Sequence, residues 1–374
     1  MKLVVIQPLL PNYDISFFNR VVELYPAIDL LLLADIETSN PLNQYRAEDC
    51  KFKVKHLPTL DRNGLTFRPG LLRLLGRESA DVVVFSANPR DLSQLWAMLV
   101  CRMKGHRFFA WGMFHRIGGL RFVSKAYYRI VGLLATKCLT YARIGAISLV
   151  NLGVPKEKVG IVGTAIDERI PLAQRKTKTP AKIDEFRRHQ GLAGKHVILQ
   201  VVRLSRMKRP ELLVQAAEHL LSQRNDLLFV LIGEGEMRQE LERTVAAKNM
   251  GEAFRFLGAI YDEATLASWY MSADAFVVPT CIGLSAHHAM CYGVPIVTDD
   301  SLDGQASEFD ILANGLNALI YAEGNIKSLS ATISRAVDDP ILRKNISMNS
   351  TFCIQNIYSI DNKSENFVRH VLDC

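Results

Sequence analysis

No two of the seven cysteines (Cys50, Cys101, Cys138, Cys281, Cys291, Cys353 and Cys374) form a C-x-x-C pair, and none keeps a metal-ligand spacing with histidine. That scatter fits neither a structural zinc site nor a disulfide framework, so reduced cytosolic thiols and no bound metal are expected. Nor is there an uncharged apolar run of about 18 residues, the length a membrane-crossing helix needs. The best candidates, residues 30–34, 130–136 and 196–202, are short and flanked by charge. The opening Met1-Lys2-Leu3-Val4-Val5-Ile6-Gln7-Pro8 is too short an apolar run for a signal peptide and reads as a first buried strand. No repeat and no low-complexity tract interrupts the chain.

The most informative absence is acidic charge. Residues 92–156 contain no Asp or Glu, yet carry Arg102, Lys104, Arg107, Arg116, Arg121, Lys125, Arg129, Lys137, Arg143 and Lys156. Residues 1–165 hold 22 Lys and Arg against 12 Asp and Glu, a balance of +10, and the remainder balances at −3. An acid-free segment attracts anions: an anionic leaflet, a lipid-phosphate acceptor or nucleic acid. Phe122, Tyr127 and Tyr128 interleave it as aromatics would on a membrane-facing helix. A solvated basic face is the plain alternative. No nucleic-acid-binding motif accompanies the charge, so no nucleic-acid partner is expected.

What is present is the composition of a globular protein of two domains: 374 residues, 49% hydrophobic, 22% charged. Strand-length apolar runs (residues 3–6, 28–33, 82–85, 107–111, 138–141, 159–162) alternate with helical patterns (15–24, 92–103, 121–134), which is βαβ punctuation. The polar stretch Arg175-Lys-Thr-Lys-Thr-Pro180 breaks the pattern. It is read as a linker over 171–182, separating a first domain at 1–170 from a second at 183–345, with a helical tail at 346–374 expected to pack back at the domain junction. The second series puts strands at 197–202, 228–232, 254–256, 275–278 and 295–298. Two doubly wound parallel-sheet α/β domains follow, with a ligand expected at their carboxyl ends.

Three stretches of the second domain carry chemistry. In Val201-Val-Arg203-Leu-Ser-Arg206-Met-Lys208-Arg209-Pro210 a strand ends in cations just before a helix that opens with proline. Backbone N–H groups and charged donors converge there, as a diphosphate requires. Leu231-Ile-Gly233-Glu-Gly235 is a glycine turn between strand and helix, followed by Phe256-Leu-Gly258-Ala-Ile260-Tyr261. The longest is Ala273-Asp274-Ala-Phe-Val-Val-Pro279-Thr280-Cys-Ile-Gly283-Leu284-Ser285-Ala-His287-His288-Ala-Met-Cys-Tyr-Gly293-Val-Pro295.

In order and frame these stretches resemble glycosyltransferase family 4, retaining nucleotide-sugar enzymes of the GT-B fold, in which two Rossmann-like domains face a central cleft. The resemblance implies transfer of a sugar from a nucleoside diphosphate-sugar to a hydroxyl of a glycan or polyprenyl-linked acceptor, without metal or other cofactor. It suggests bacterial surface polysaccharide synthesis and a peripheral place on the inner face of the cytoplasmic membrane. It maps the diphosphate ligands onto Arg203 and Lys208, and the β-phosphate contacts onto Gly283, Leu284 and Ser285. Gly233 falls in the family's second glycine turn and Ile260 in the loop that receives the nucleobase, both on the donor side. Where the family carries a sugar-binding and a ribose-binding glutamate, this chain has Thr280 and His288. Both can still hydrogen-bond a hydroxyl. Adjacent histidines on a helix point about 100° apart, so His287 should face away from the ligand.

Asp303, Gln305 and Glu308 occupy the family's donor-side loop. In the first domain, the loop with Asn12, Tyr13 and Asp14 should border the acceptor together with Arg116. His115 is a displaced counterpart of the family's histidine, which aligns nearer Met113. The missing glutamates leave a second reading, a catalytically degenerate module that binds a partner within a polysaccharide assembly complex.

Overall fold

The structure, a computed structural model, describes residues 1–39 and 45–372, and Cys374 lies outside them. The chain divides into two compact units, Met1–Asp167 with Ile360–Cys374, and Glu168–Ser359.

The first unit runs β1 (Lys2–Ile6), α1 (Asn12–Leu24), β2 (Asp29–Ala34), β3 (Lys53–His56), a hairpin of β4 (Leu60–Arg62) and β5 (Leu65–Phe67), α2 (Leu71–Glu78), β6 (Val82–Ser86), α3 (Leu92–Met103), β7 (Arg107–Gly112), α4 (Phe122–Leu134), β8 (Lys137–Thr140), α5 (Arg143–Asn151) and β9 (Val159–Ile161). Seven strands form one parallel sheet in the order β3-β2-β1-β6-β7-β8-β9. Its central strands are continuous apolar runs because helices cover both faces. Val4 and Ile6 join residues of α3, α4 and α5 on one side. Leu3 and Val5, alternating with them, join Phe17 and Phe18 of α1 on the other.

The second unit runs α6 (Arg169–Thr177), α7 (Pro180–His189), β10 (His196–Val201), α8 (Pro210–Leu221), β11 (Leu227–Ile232), α9 (Arg238–Ala247), β12 (Phe254–Phe256), α10 (Glu263–Ser272), β13 (Ala275–Val277), α11 (Ser285–Tyr292), β14 (Ile296–Asp299), β15 (Ala318–Tyr321), α12 (Ile326–Asp338) and α13 (Pro340–Asn356). Its parallel sheet has the order β12-β11-β10-β13-β14-β15. The last helix, α14 (Ile360–Leu372), belongs to the first unit. There its Phe367 ring lies 5.5 Å from that of Phe17 and 5.2 Å from that of Trp111.

Two expectations are corrected. Residues 171–182 are not an extended linker but parts of α6 and α7, packed within the second unit. The proline that reads as a breaker sits at the first position of α7, where its missing N–H costs nothing, and Thr179 caps that helix by accepting from the Lys182 amide. Phe186 then anchors α7 edge-on against Trp269, 5.1 Å between centroids. Tyr127 and Tyr128 are buried in the α4 core face rather than lipid-facing, and only Phe122 of the three aromatics is exposed.

Candidate functional site

In an open parallel sheet a ligand binds beyond the carboxyl ends of the strands, where the strand order reverses. In the second unit that point lies between β10 and β13, and the loops leaving these two strands are tied together there. Lys208, in a single 3₁₀ turn (Arg206–Lys208) ahead of α8, donates from Nζ to the carbonyl of Cys281 in the loop after β13. A Cβ at Gly283 would stand 3.3 Å from that ammonium, tighter than side chains normally pack. Glycine therefore leaves the cation room at the start of α11, which no side chain caps. The same holds for α8, which opens with Arg209 in a left-handed conformation (φ 47°) and Pro210. Arg203 is exposed and, among the described residues, its side chain has no hydrogen-bond or ion-pair partner. An exposed guanidinium, an ammonium bonded to a carbonyl and two helix N-termini thus share one sheet edge. This is an anion-binding arrangement.

The glycine turn after β11 is locked into the same edge. Gly233 (φ 145°) lies so close to the loop after β10 that a Cβ would overlap the Val202 carbonyl. Its N–H donates to Gly258 O at 2.8 Å, in the loop after β12 that also holds half-buried Ile260.

The donor-side loops behave differently from expectation. Thr280 is 5% exposed, Gln305 2% and Asp299 0%. The Thr280 hydroxyl donates to Asp299 Oδ1 at 3.2 Å. Gln305 Nε2 lies 2.8 Å from the same oxygen and 2.8 Å from Thr298 Oγ1, while its Oε1 accepts from the Ile282 amide at 2.8 Å. These side chains are thus turned toward one another beneath the loop surface, clamping residues 280–283 to 301–305. Burial pushes the Asp299 carboxyl above its ordinary range, although Thr280, Ser301 and Gln305 all donate to it. Asp299 and its clamp are absent from the motif reading. The signal available in the sequence was only an aspartate closing an apolar strand, a residue type almost never buried without partners. Asp303 is exposed, and Glu308, half-buried, is close enough to Cys281 to oppose its ionisation.

On α11 the two histidines do separate. His287 is fully buried. His288 is half-buried, its Nε2 3.5 Å from Glu263 Oε2 at the start of α10. Burial pushes Glu263 up, but His288 and the Tyr292 hydroxyl, 2.6 Å away, outweigh it and hold the carboxyl below its ordinary value.

In the first unit the corresponding switch point lies between β1 and β6. Asn12 and Tyr13 are exposed in the first turn of α1, and Asp14 is partly buried. Burial pushes Asp14 up to about 6, opposed by Lys363 of α14. His115 has Nδ1 3.0 Å from the Met113 carbonyl, and its Nε2 is buried without a partner among the described residues. Arg116 is exposed.

The family model of glycosyl transferases group 1 matches residues 182–351, all within the second unit. The fold of the whole chain is GT-B, a two-domain α/β architecture. HepE of Anabaena, crystallised with UDP, aligns over 100% of both chains with a TM-score of 0.79 at 13% identity. A glycosyltransferase from Rickettsia africae aligns over 100% of this chain and 98% of its own, with a TM-score of 0.78 at 12% identity. In sequence, a 2-deoxystreptamine glucosyltransferase from Streptomyces kanamyceticus is 26% identical over 203 residues, 53% of this chain and 50% of that one. A D-inositol 3-phosphate glycosyltransferase from Pseudarthrobacter chlorophenolicus is 34% identical over 141 residues, 35% of this chain and 33% of its own. The chain thus spans half or less of the length of these curated relatives.

Proposed function

We propose that this protein is a family 4 glycosyltransferase that moves a sugar, with retention of anomeric configuration, from a nucleoside diphosphate-sugar to a hydroxyl of a glycan or lipid-linked acceptor in bacterial surface polysaccharide synthesis. The observation that carries the reading is Lys208 held against the Cys281 carbonyl beside Gly283, with uncommitted Arg203 on the same sheet edge. The bond that breaks joins the sugar's anomeric carbon to a diphosphate oxygen, so negative charge grows on the leaving diphosphate. Preorganised cations and helix N-termini stabilise that charge most where it develops. Arg203 and Lys208 take this role, the Gly283–Ser285 backbone approaches the β-phosphate, and Gly233 and Ile260 border the base. His288 offers a ring nitrogen to the ribose. On the acceptor side the reading assigns Asn12, Tyr13, Asp14 and Arg116. His115 enters it once its ring turns to expose the buried Nε2. Support comes also from relatives named as glycosyltransferases and from HepE, crystallised with UDP.

The test is a panel of nucleotide sugars scored by thermal stabilisation and by release of free nucleoside diphosphate. A second reading, a degenerate binding module, is favoured by the burial of Thr280 against Asp299. Stabilisation by a donor with no turnover on any acceptor fraction would select it.

A further inference from the structure

The layer formed by α3, α4 and α5 covers one face of the first sheet, and its inner side is filled by Met98, Tyr128, Val131 and Leu149. Its outer side should be polar on a solvated helix layer. Instead Phe122 is 85% exposed and Val123 71%, at the start of α4. Phe122, Ala126, Ile130 and Leu133 fall on one stripe of α4, all exposed. Trp96 of α3 and Ile147 of α5 are exposed as well.

The charge on this layer has a single sign. Arg102, Arg116, Arg121, Lys125 and Arg129 are exposed, and none of them has an ion-pair partner among the described residues. Asp91, the last carboxylate before the acid-free segment, is fully buried and spent on Arg68 at 2.6 Å. A nucleic-acid-binding face would carry the cations without a projecting apolar stripe, and an ordinary protein interface is depleted of such one-sided charge at its core. Apolar side chains that penetrate, ringed by cations that stay in water, are what an anionic lipid surface accepts. Phe122 and Val123 follow the carboxyl end of β7, so the projecting end of the stripe lies at the sheet edge where Arg116 also stands.

We propose that the outer face of α3–α5 is a membrane-docking surface that inserts Phe122 and Val123 among the headgroups of an anionic leaflet, with Arg121, Lys125 and Arg129 on the phosphates. It goes beyond the transfer reaction and does not depend on it. Docking would bring the first unit to an acceptor that is itself held in the leaflet.

The experiment uses the full chain and co-sedimentation with vesicles of phosphatidylcholine alone or mixed with phosphatidylglycerol. The protein should sediment with the mixed vesicles only and be released by salt. Removing Arg121, Lys125 or Arg129 should weaken binding about fivefold each. Phe122→Ser with Val123→Ser, which leaves charge untouched, should weaken it at least about tenfold, a loss matched to burial of two apolar side chains. Both sites are exposed, so an unchanged melting temperature separates docking from unfolding. A Phe122→Trp variant should shift its emission to the blue on adding mixed vesicles. The proposal is overturned if neutral vesicles bind equally, if the double serine variant binds as the parent does, or if a double-stranded oligonucleotide displaces the protein from vesicles. Donor turnover is measured apart, without lipid, so failure of the transfer reading leaves this result standing.

Discussion

The carboxyl edges of the two sheets are built from the same βα turns, but they are secured in different ways. In the second unit the edge is knitted from within: Gly233 against Val202, Lys208 on the Cys281 carbonyl, and Gln305 bridging Ile282, Thr298 and Asp299. In the first unit the edge carries Asn12, Tyr13, Met113 and Arg116 exposed, with a partly buried Asp14. A rigid edge suits a ligand part that never changes, such as a diphosphate. A more exposed one suits groups that differ between relatives.

The largest expected effect tests the rigid edge. On the proposed reading, Lys208→Ala and Arg203→Ala each remove a charge-assisted bond to the diphosphate, about 1.5–3 kcal/mol, so nucleoside diphosphate affinity should fall about 10- to 150-fold by calorimetry. The two should differ in stability. Lys208 also bridges two loops and should lower the melting temperature when lost, whereas exposed Arg203 should not. Unchanged binding in both variants would remove the diphosphate site from this edge.

Gln305→Leu comes next. It leaves the buried Ile282 amide unpaired and strips a donor from Asp299, at about 1–3 kcal/mol of stability. If the clamp holds the 280–283 turn for the donor, weaker binding of intact donor should accompany the lower melting point. A melting loss with intact affinity would mean the clamp is structural only.

A smaller effect distinguishes the histidines. His288→Ala should weaken nucleotide binding about 2- to 12-fold, the worth of one hydrogen bond of about 0.5–1.5 kcal/mol. His287→Ala, deep in the core, should instead cost stability and spare binding at temperatures where the variant is folded. The reverse pattern would put the wrong ring at the ligand.

Both sheets were legible in the sequence because their strands are apolar runs punctuated by glycine and proline, and the cation-rich turn after β10 announced itself by residue type. The short strand β3, Lys53-Val-Lys-His56, was not, since at a sheet edge it alternates with exposed lysines and carries little apolar signal. β15 and α12 fell outside the motif frame altogether. The linker reading failed on Pro180, which as a residue type ends helices and as the first residue of one begins it. Gln305 and Thr280 were read as ligand contacts from frame alone. Which way a polar side chain on a short loop turns depends on the buried Asp299, and no pattern of neighbours in sequence records that.

The smallest expected effect tests the more exposed edge. Asp14 is pushed up to about 6 because burial disfavours its charged form more than Lys363 favours it. Its ordinary value is 3.8. Between these values the folded chain keeps a proton that the unfolded chain has lost, so stability falls as pH rises through that window and the penalty is complete above it. Asp14→Asn should therefore stabilise the protein at neutral pH, by about 1 kcal/mol after allowing for solvent at a partly exposed site. The gain should shrink as pH drops through about 6 and vanish below about 4, read as urea midpoints across that range. A carboxylate kept at a cost in stability is consistent with a functional position. The same variant should then lose transfer to acceptor while binding nucleoside diphosphate as before. A stability gain that persists at about pH 4 would show that the asparagine helps by packing, and transfer at the parental rate would take Asp14 out of the acceptor edge.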